Sequence, residues 1–142
     1  MPTIPDADHF ARHCPKHRFQ EGKASPEAFA LRPRRLHRDV WLEPDTYLSG
    51  CWMEHHDCDI ERICNDIRLT KKSGDVLLVL SVGDIRQANV SGRQIQLDVR
   101  PEPEDPCDPD SHAGIHGYTL NDNGPVGLVL RRLVRGAKPI PV

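Results

Sequence analysis

Five consecutive apolar residues, Val76, Leu77, Leu78, Val79 and Leu80, stand between Gly74 and Gly83. No polar residue interrupts them, so neither face of an extended segment here can meet water. A run this short, bounded by glycines, predicts a strand covered on both sides. That requirement organises the rest of the chain, because something must supply each covering layer.

Residues 57–69 predict one layer. Ile60, Ile63, Cys64 and Ile67 fall at i, i+3, i+4 and i+7, one face of a helix. Asp57, Asp59 and Glu61 stand at its start, Arg68, Lys71 and Lys72 at its end, and Gly74 beyond. This charge order suits the helix dipole, and the glycine suits a C-terminal cap. The apolar stripe is expected to dock on 76–80. Residues 125–134 predict a second helix with Pro125 at its first position and an apolar face of Val126, Val129, Leu130 and Leu133. Gly136 is expected to end it, leaving 137–142 as a tail.

Residues 94–99 alternate strictly, Ile95, Leu97 and Val99 against Gln94, Gln96 and Asp98, which predicts a strand with one wet face. Further strands are expected at 28–31, 47–52 and 115–120. Short helices are expected at 6–12, capped by Asp6 and stopped before Cys14-Pro15, and at 83–90. Gly22 and residues 121–124 mark turns. Four prolines among the acids of 101–111 forbid regular pairing there. The expectation is one α+β domain over 1–142, ordered from about 8 to 136. A small mixed sheet centres on 75–82 and 94–99, packed by two main helices. A chain of 142 residues buries roughly 68–70% of its unfolded surface, enough for one core.

Charge and composition narrow the function. The formal net charge is −2, which argues against holding nucleic acid mainly through phosphates. No stretch approaches the 18 or so apolar residues of a membrane helix. The first residues, Met1 to Asp6, lack a basic and an apolar signal region, and the five cysteines are an odd count. Both features predict reduced thiols in a cytoplasmic protein. The usual nucleotide, hydrolase and zincin signatures are absent.

Four constellations carry chemistry. Cys51, His55, His56, Cys58 and Cys64 are zinc-ligand types, but the C-x3-H-H-x-C-x5-C spacing is not paired, and Cys64 lies on the apolar helix face. No metal ligand is assigned, and a zinc-stabilised module stands third among the readings. Cys14 and His17 read as a turn anchored by a buried thiol, ahead of a nucleophile. His112 follows a rigid acidic loop and precedes an apolar segment; it reads first as a residue that hydrogen-bonds loop carbonyls and closes the loop onto the sheet, and second as an acid–base group that Asp110 could orient. The basic runs Arg32, Arg34, Arg35, His37, Arg38 and Arg131, Arg132, Arg135, Lys138 can line an anion, though no aromatic residue interleaves with them.

The chain also resembles a family of small bacterial proteins. The matching residues are Arg12-x-Cys14-Pro15, Ala28-Phe29-x-Leu31-Arg32, Tyr47-Leu48-Ser49-x-x-Trp52-x-Glu54, the stretch Val79 to Gly83, and Asp108-Pro109-x-x-His112-Ala113-x-Ile115-x-Gly117. Gly50-Cys51 stands where the family form reads Val-Asn. The resemblance implies a self-contained bacterial, cytoplasmic unit and names no reaction or cofactor. It singles out Arg12, Ser49, Trp52, Glu54 and His112.

Two functions follow as expectations. The first is an accessory protein with another protein as partner, immunity-like or regulatory toward a neighbouring gene product, because the acidic loop and the basic runs give it surfaces of opposite sign. The second is an enzyme acting on a phosphate or amide bond. In it His112 is the general acid/base, Glu54 orients it, and Arg12, Arg32, Ser49 and Trp52 bind substrate.

Overall fold

The structure is a computed structural model that describes residues 3–66, 74–90, 92, 94–102 and 111–140; the side chains of His56 and of 64–66 are outside that description. In chain order the strands are β1 (His9–Cys14), β2 (Phe19–Gln20), β3 (Lys23–Ala24), β4 (Arg35–His37), β5 (Val40–Leu42), β6 (Leu48–Trp52), β7 (Val76–Ser81), β8 (Asp98–Pro101), β9 (His112–His116) and β10 (Val134–Pro139). The α-helices are α1 (Ile60–Asp66), α2 (Val82–Arg86) and α3 (Asn123–Leu133). One six-stranded sheet runs in the order β10-β7-β1-β6-β9-β8, and every pairing in it is antiparallel. The class is α+β, and β2–β3 and β4–β5 form two small ribbons beside the main sheet.

β7 is the interior strand that its composition demands, with all six residues buried. Side chains alternate across a sheet, so β7 feeds two cores. Leu78 and Leu80 join Phe10, Cys14, Leu48, Ile115, Val126 and Leu130 on the face covered by α3. Leu77 and Val79 join Ala11, Cys51, Met53 and Ile63 on the face covered by α1. Ile63 is fully buried there and Ile60 packs beside it. Ile67, the last residue of the expected stripe, falls outside the described residues, as do the basic end of that helix and most of the acidic loop.

Several local expectations are corrected. Residues 9–14 form a central strand, not a helix, because Phe10 and Cys14 bury on one face and Ala11 on the other. Pro15 costs no ladder bond just past the strand end. Residues 28–31 are not a strand. Pro26–Phe29 is a 3-10 turn with Ser25 as its cap, and it packs against α3. The burial alternation of 94–99 is present, with Leu97 and Val99 buried, but only Asp98–Pro101 pairs, and it lies at the sheet edge. The sheet therefore centres on β7, β1 and β6. The expected tail is also partly a strand: Val134–Pro139 pairs with β7, with a bulge between Val134 and Gly136.

Two polar anchors fix the layers. The Tyr118 hydroxyl donates to the Phe29 carbonyl at 2.8 Å, and burial pushes its pKa up. Arg86 donates to Asp98 (2.8 Å), to Asp6 (2.7 Å) and to the Val99 carbonyl (3.0 Å), so it covers the outer side of β8.

Candidate active site

The site follows from strand register. β6 and β9 pair with Ser49 opposite Gly114 and Cys51 opposite His112. Partners across an antiparallel pair share a face, and diagonal neighbours are within reach of long side chains. Ser49 and His112 are diagonal neighbours, and the Ser49 Oγ lies 2.7 Å from the His112 Nε2. Tyr47, two residues before Ser49, lies on the same face. Its ring fills the space that Gly114 leaves: a Cβ at Gly114 would fall 2.4 Å from the ring. The ring stacks on His116 with centroids 5.1 Å apart and lies 6.0 Å from the ring of His112.

The other imidazole nitrogen decides the chemistry. The His112 Nδ1 is 2.7 Å from the backbone oxygen of Glu102. A carbonyl only accepts, so Nδ1 carries the proton in the neutral ring. Nε2 is then a lone pair, and the Ser49 hydroxyl donates to it. The carboxylate of Glu102, buried at the same strand end, pairs with His116 Nε2. This is a hydroxyl, a base and a group that orients the base, and Ser49 itself is exposed.

The β1–β6 ladder pairs only Phe10 with Trp52 and Ala11 with Cys51. Beyond that point the Ser49 carbonyl accepts from Arg12 Nη1 at 2.7 Å, while Arg12 Nε donates to the Ala28 carbonyl at 2.8 Å. Arg12 thereby ties the 25–30 segment to β6. It forms no ion pair among the described residues. Burial lowers its pKa, with the nearby Tyr118 and Asp45 opposing that shift and Arg32 adding to it. An arginine stays charged under such a shift. A cation with no direct ion pair among the described residues therefore lies in the wall of an open cleft of about 830 Å³, lined also by Arg18, Glu27, Arg32, Asp45, Tyr47 and Ser49. Ligand sites commonly have about this size.

The residues singled out in the sequence separate into two groups. Arg12, Arg32 and Ser49 line the cleft, and His112 stands behind Ser49 without lining it. Glu54 does not orient His112. It accepts from the His9 backbone at 2.6 Å and pairs with His9 Nδ1 at 2.7 Å, and Cys58 Sγ approaches it at 3.5 Å. The orienting role belongs to the Glu102 carbonyl, which no side-chain pattern announces. Trp52 does not line the cleft either. Its indole N–H donates to Asp8 at 2.7 Å and its ring lies against His55.

Cys14 is buried, its thiol reaches the Pro15 carbonyl at 3.6 Å, and burial pushes its pKa up to about 11. Among the described residues no three His, Cys, Asp or Glu side chains gather as a metal site; His56 and Cys64 side chains lie outside them. The two basic runs do not share a surface. Arg32 lines the cleft, whereas Arg131, Arg132 and Arg135 line a separate groove of about 530 Å³ with Lys23.

Three carboxylates set an acid limit on the fold. For Asp45, Glu54 and Asp98 burial alone would raise the pKa. Hydrogen bonds outweigh it: from Arg32 to Asp45, from His9 to Glu54, and from Arg86 and Arg100 to Asp98. Each therefore titrates below its unfolded value of about 4. Their stabilisation is complete above that value and is lost as pH falls through the lower folded values. The melting temperature is expected to drop as pH goes from about 5 to about 3, and Asp45→Asn is expected to flatten the drop. A melting temperature level across that range would contradict it.

No family model, no curated protein and no solved structure matches the chain. The resemblance to small bacterial proteins therefore assigns nothing further, and the reading of function rests on the site. No helix among the described residues is long and apolar enough to cross a membrane.

Proposed function

We propose that the protein is a small acyl hydrolase in which Ser49 is the nucleophile and His112 its general base. The observation that carries this reading is the 2.7 Å contact between Ser49 Oγ and a His112 Nε2 left as acceptor by the Glu102 carbonyl. In the forward step Ser49 Oγ attacks a substrate ester or amide carbonyl and gives its proton to Nε2. The imidazolium then protonates the leaving alcohol or amine, and an acyl-Ser49 ester remains. Water, deprotonated by His112, hydrolyses that ester and restores the hydroxyl. Arg12, fixed in the cleft wall without a carboxylate of its own, favours substrates with an anionic group.

The test needs no known substrate. A fluorophosphonate probe is attacked by an activated serine, which forms an O–P bond as fluoride leaves. The intact chain is expected to gain one adduct, mapped by mass spectrometry to Ser49 and absent from Ser49→Ala. A folded chain that stays unmodified at Ser49 would overturn the proposal.

A specific observation keeps the accessory-protein reading as the second one. Leu36, Val40 and Trp41 are exposed together on the β4–β5 ribbon, as a surface awaiting a partner would be.

A further inference from the structure

Resting on the acyl-transfer reading of Ser49, we infer that the β4–β5 hairpin is a receiving arm: it adds an extended, acidic polypeptide substrate as a third strand and leads it into the cleft. The hairpin rises from the cleft itself. Its stems, Arg32-Pro33 and Pro44-Asp45, line the cleft, and the strands lie between them. The stems are locked together: Asp45 N donates to the Arg32 carbonyl at 2.9 Å, and the Asp45 carboxylate accepts from the Arg32 backbone at 2.9 Å and from Arg35 at 3.4 Å. At the tip Arg38 and Asp39 both have positive φ, 50° and 65°, the pattern of a tight hairpin turn.

The arm is built against its own solvation. Leu36 is 57% exposed, Val40 59% and Trp41 55%, three of the four large exposed apolar side chains among the described residues. Among the described residues β4 and β5 pair only with each other, so each has an open edge there. A lone two-stranded ribbon is marginal in water, and open edges with apolar side chains invite a further strand. Strand addition supplies main-chain hydrogen bonds for an extended peptide, and side chains such as Leu36 and Trp41 supply contacts for alternate residues.

Charge selects the peptide. Arg34 lies over the Trp41 ring at 4.2 Å. Arg38 at the tip, and Arg18 and Arg12 in the cleft, form no ion pair among the described residues. Arg34 pairs with Glu43 at 3.9 Å, and Arg32 and Arg35 pair with Asp45, so the cations left to meet acidic side chains are Arg38 at the tip and Arg18 and Arg12 in the cleft. Of the arm's exposed apolar side chains only Trp41 offers a face for a base to stack on, and Arg34 already lies over it; the chain's net charge is −2, so a polypeptide fits better than a nucleic acid.

The probe is a fluorescein-labelled eight-residue peptide of alternating valine and glutamate, followed by fluorescence polarisation against the full chain. Leu36→Ser/Trp41→Ser is expected to weaken binding about tenfold or more. With wild-type protein, N-methylation of alternate peptide residues is expected to weaken it comparably, since it removes strand bonding and keeps charge. No binding, or binding indifferent to both changes, would overturn the arm. So would tighter binding of a thymidine oligonucleotide, or a dimer that the double substitution disperses. Phosphonate labelling of the wild type separates the two ideas. Ser49 labelled without peptide binding removes the arm alone; peptide binding without labelling removes the hydrolase reading and the arm's catalytic purpose.

Discussion

His112→Asn is expected to slow phosphonate labelling of Ser49 by about 10²- to 10⁴-fold, the range for loss of a positioned general base. The physical reason is proton bookkeeping. A serine hydroxyl is a weak nucleophile unless its proton has somewhere to go at the moment of attack. In the wild type it goes to Nε2, 2.7 Å away. Asparagine offers no basic nitrogen there. The asparagine amide nitrogen stands where Nδ1 did and keeps a donor for the Glu102 carbonyl, so the fold is expected to survive. Comparing labelling rates at pH 7 with melting curves of both proteins checks this. A variant that labels as fast as the wild type would remove His112 from the mechanism.

Gly50→Ala is expected to be the most damaging single-methyl change in the sheet. Gly50 lies on β6, beside Ser49. A Cβ there would fall 2.2 Å from Phe10 Cζ and 2.6 Å from the Ala11 carbonyl oxygen. Phe10 is fully buried, so its ring has no room to retreat, and the Ala11 oxygen belongs to the neighbouring strand. Overpacking of this kind costs about 3 kcal/mol, or roughly 10 °C in melting temperature for a domain of this size. The fate of the site sharpens the expectation, since β6 must move to relieve the clash and Ser49 moves with it. Thermal denaturation read together with Ser49 labelling should show both losses. A melting temperature within a degree or two of wild type would show that β6 and β1 are less tightly packed than described.

What could be read from the sequence follows from which interactions are local. The run at 76–80 needed only its own composition to declare an interior strand, and Ile60 and Ile63 needed only helical spacing to declare a face. β1 was harder. Its residues alternate His9, Phe10, Ala11, Arg12, His13, Cys14, and only tertiary pairing makes Ala11 and Arg12 tolerable on opposite sides of a central strand. β10 was harder still, because Arg135, Gly136, Lys138 and Pro139 carry little strand propensity. β7 supplies the pairing that decides the matter.

The same division explains the site. Arg12, Ser49 and His112 attract notice as chemically active residues within a resemblance, but the Ser49–His112 contact depends on the register of β6 against β9, 63 residues apart in the chain, and Arg12 comes from β1 to the Ser49 carbonyl alone. Glu54 stands out as a polar residue within the shared motif, yet His9 claims it. The partner that orients His112 is a main-chain oxygen, invisible to any reading of side chains. The absence of interleaved aromatics in the basic run 32–38 was likewise a property of linear order. Hairpin folding brings Trp41 under Arg34.

Activation of Ser49 turns on which imidazole nitrogen of His112 holds the proton, and nitrogen-15 NMR of the ring reads this directly. In the neutral ring the two-bond proton–nitrogen pattern is expected to show Nδ1 protonated and Nε2 bare, with the Nε2 shift changing in Ser49→Ala. A ring protonated on Nε2, or one whose Nε2 signal ignores the loss of the Ser49 hydroxyl, would contradict it.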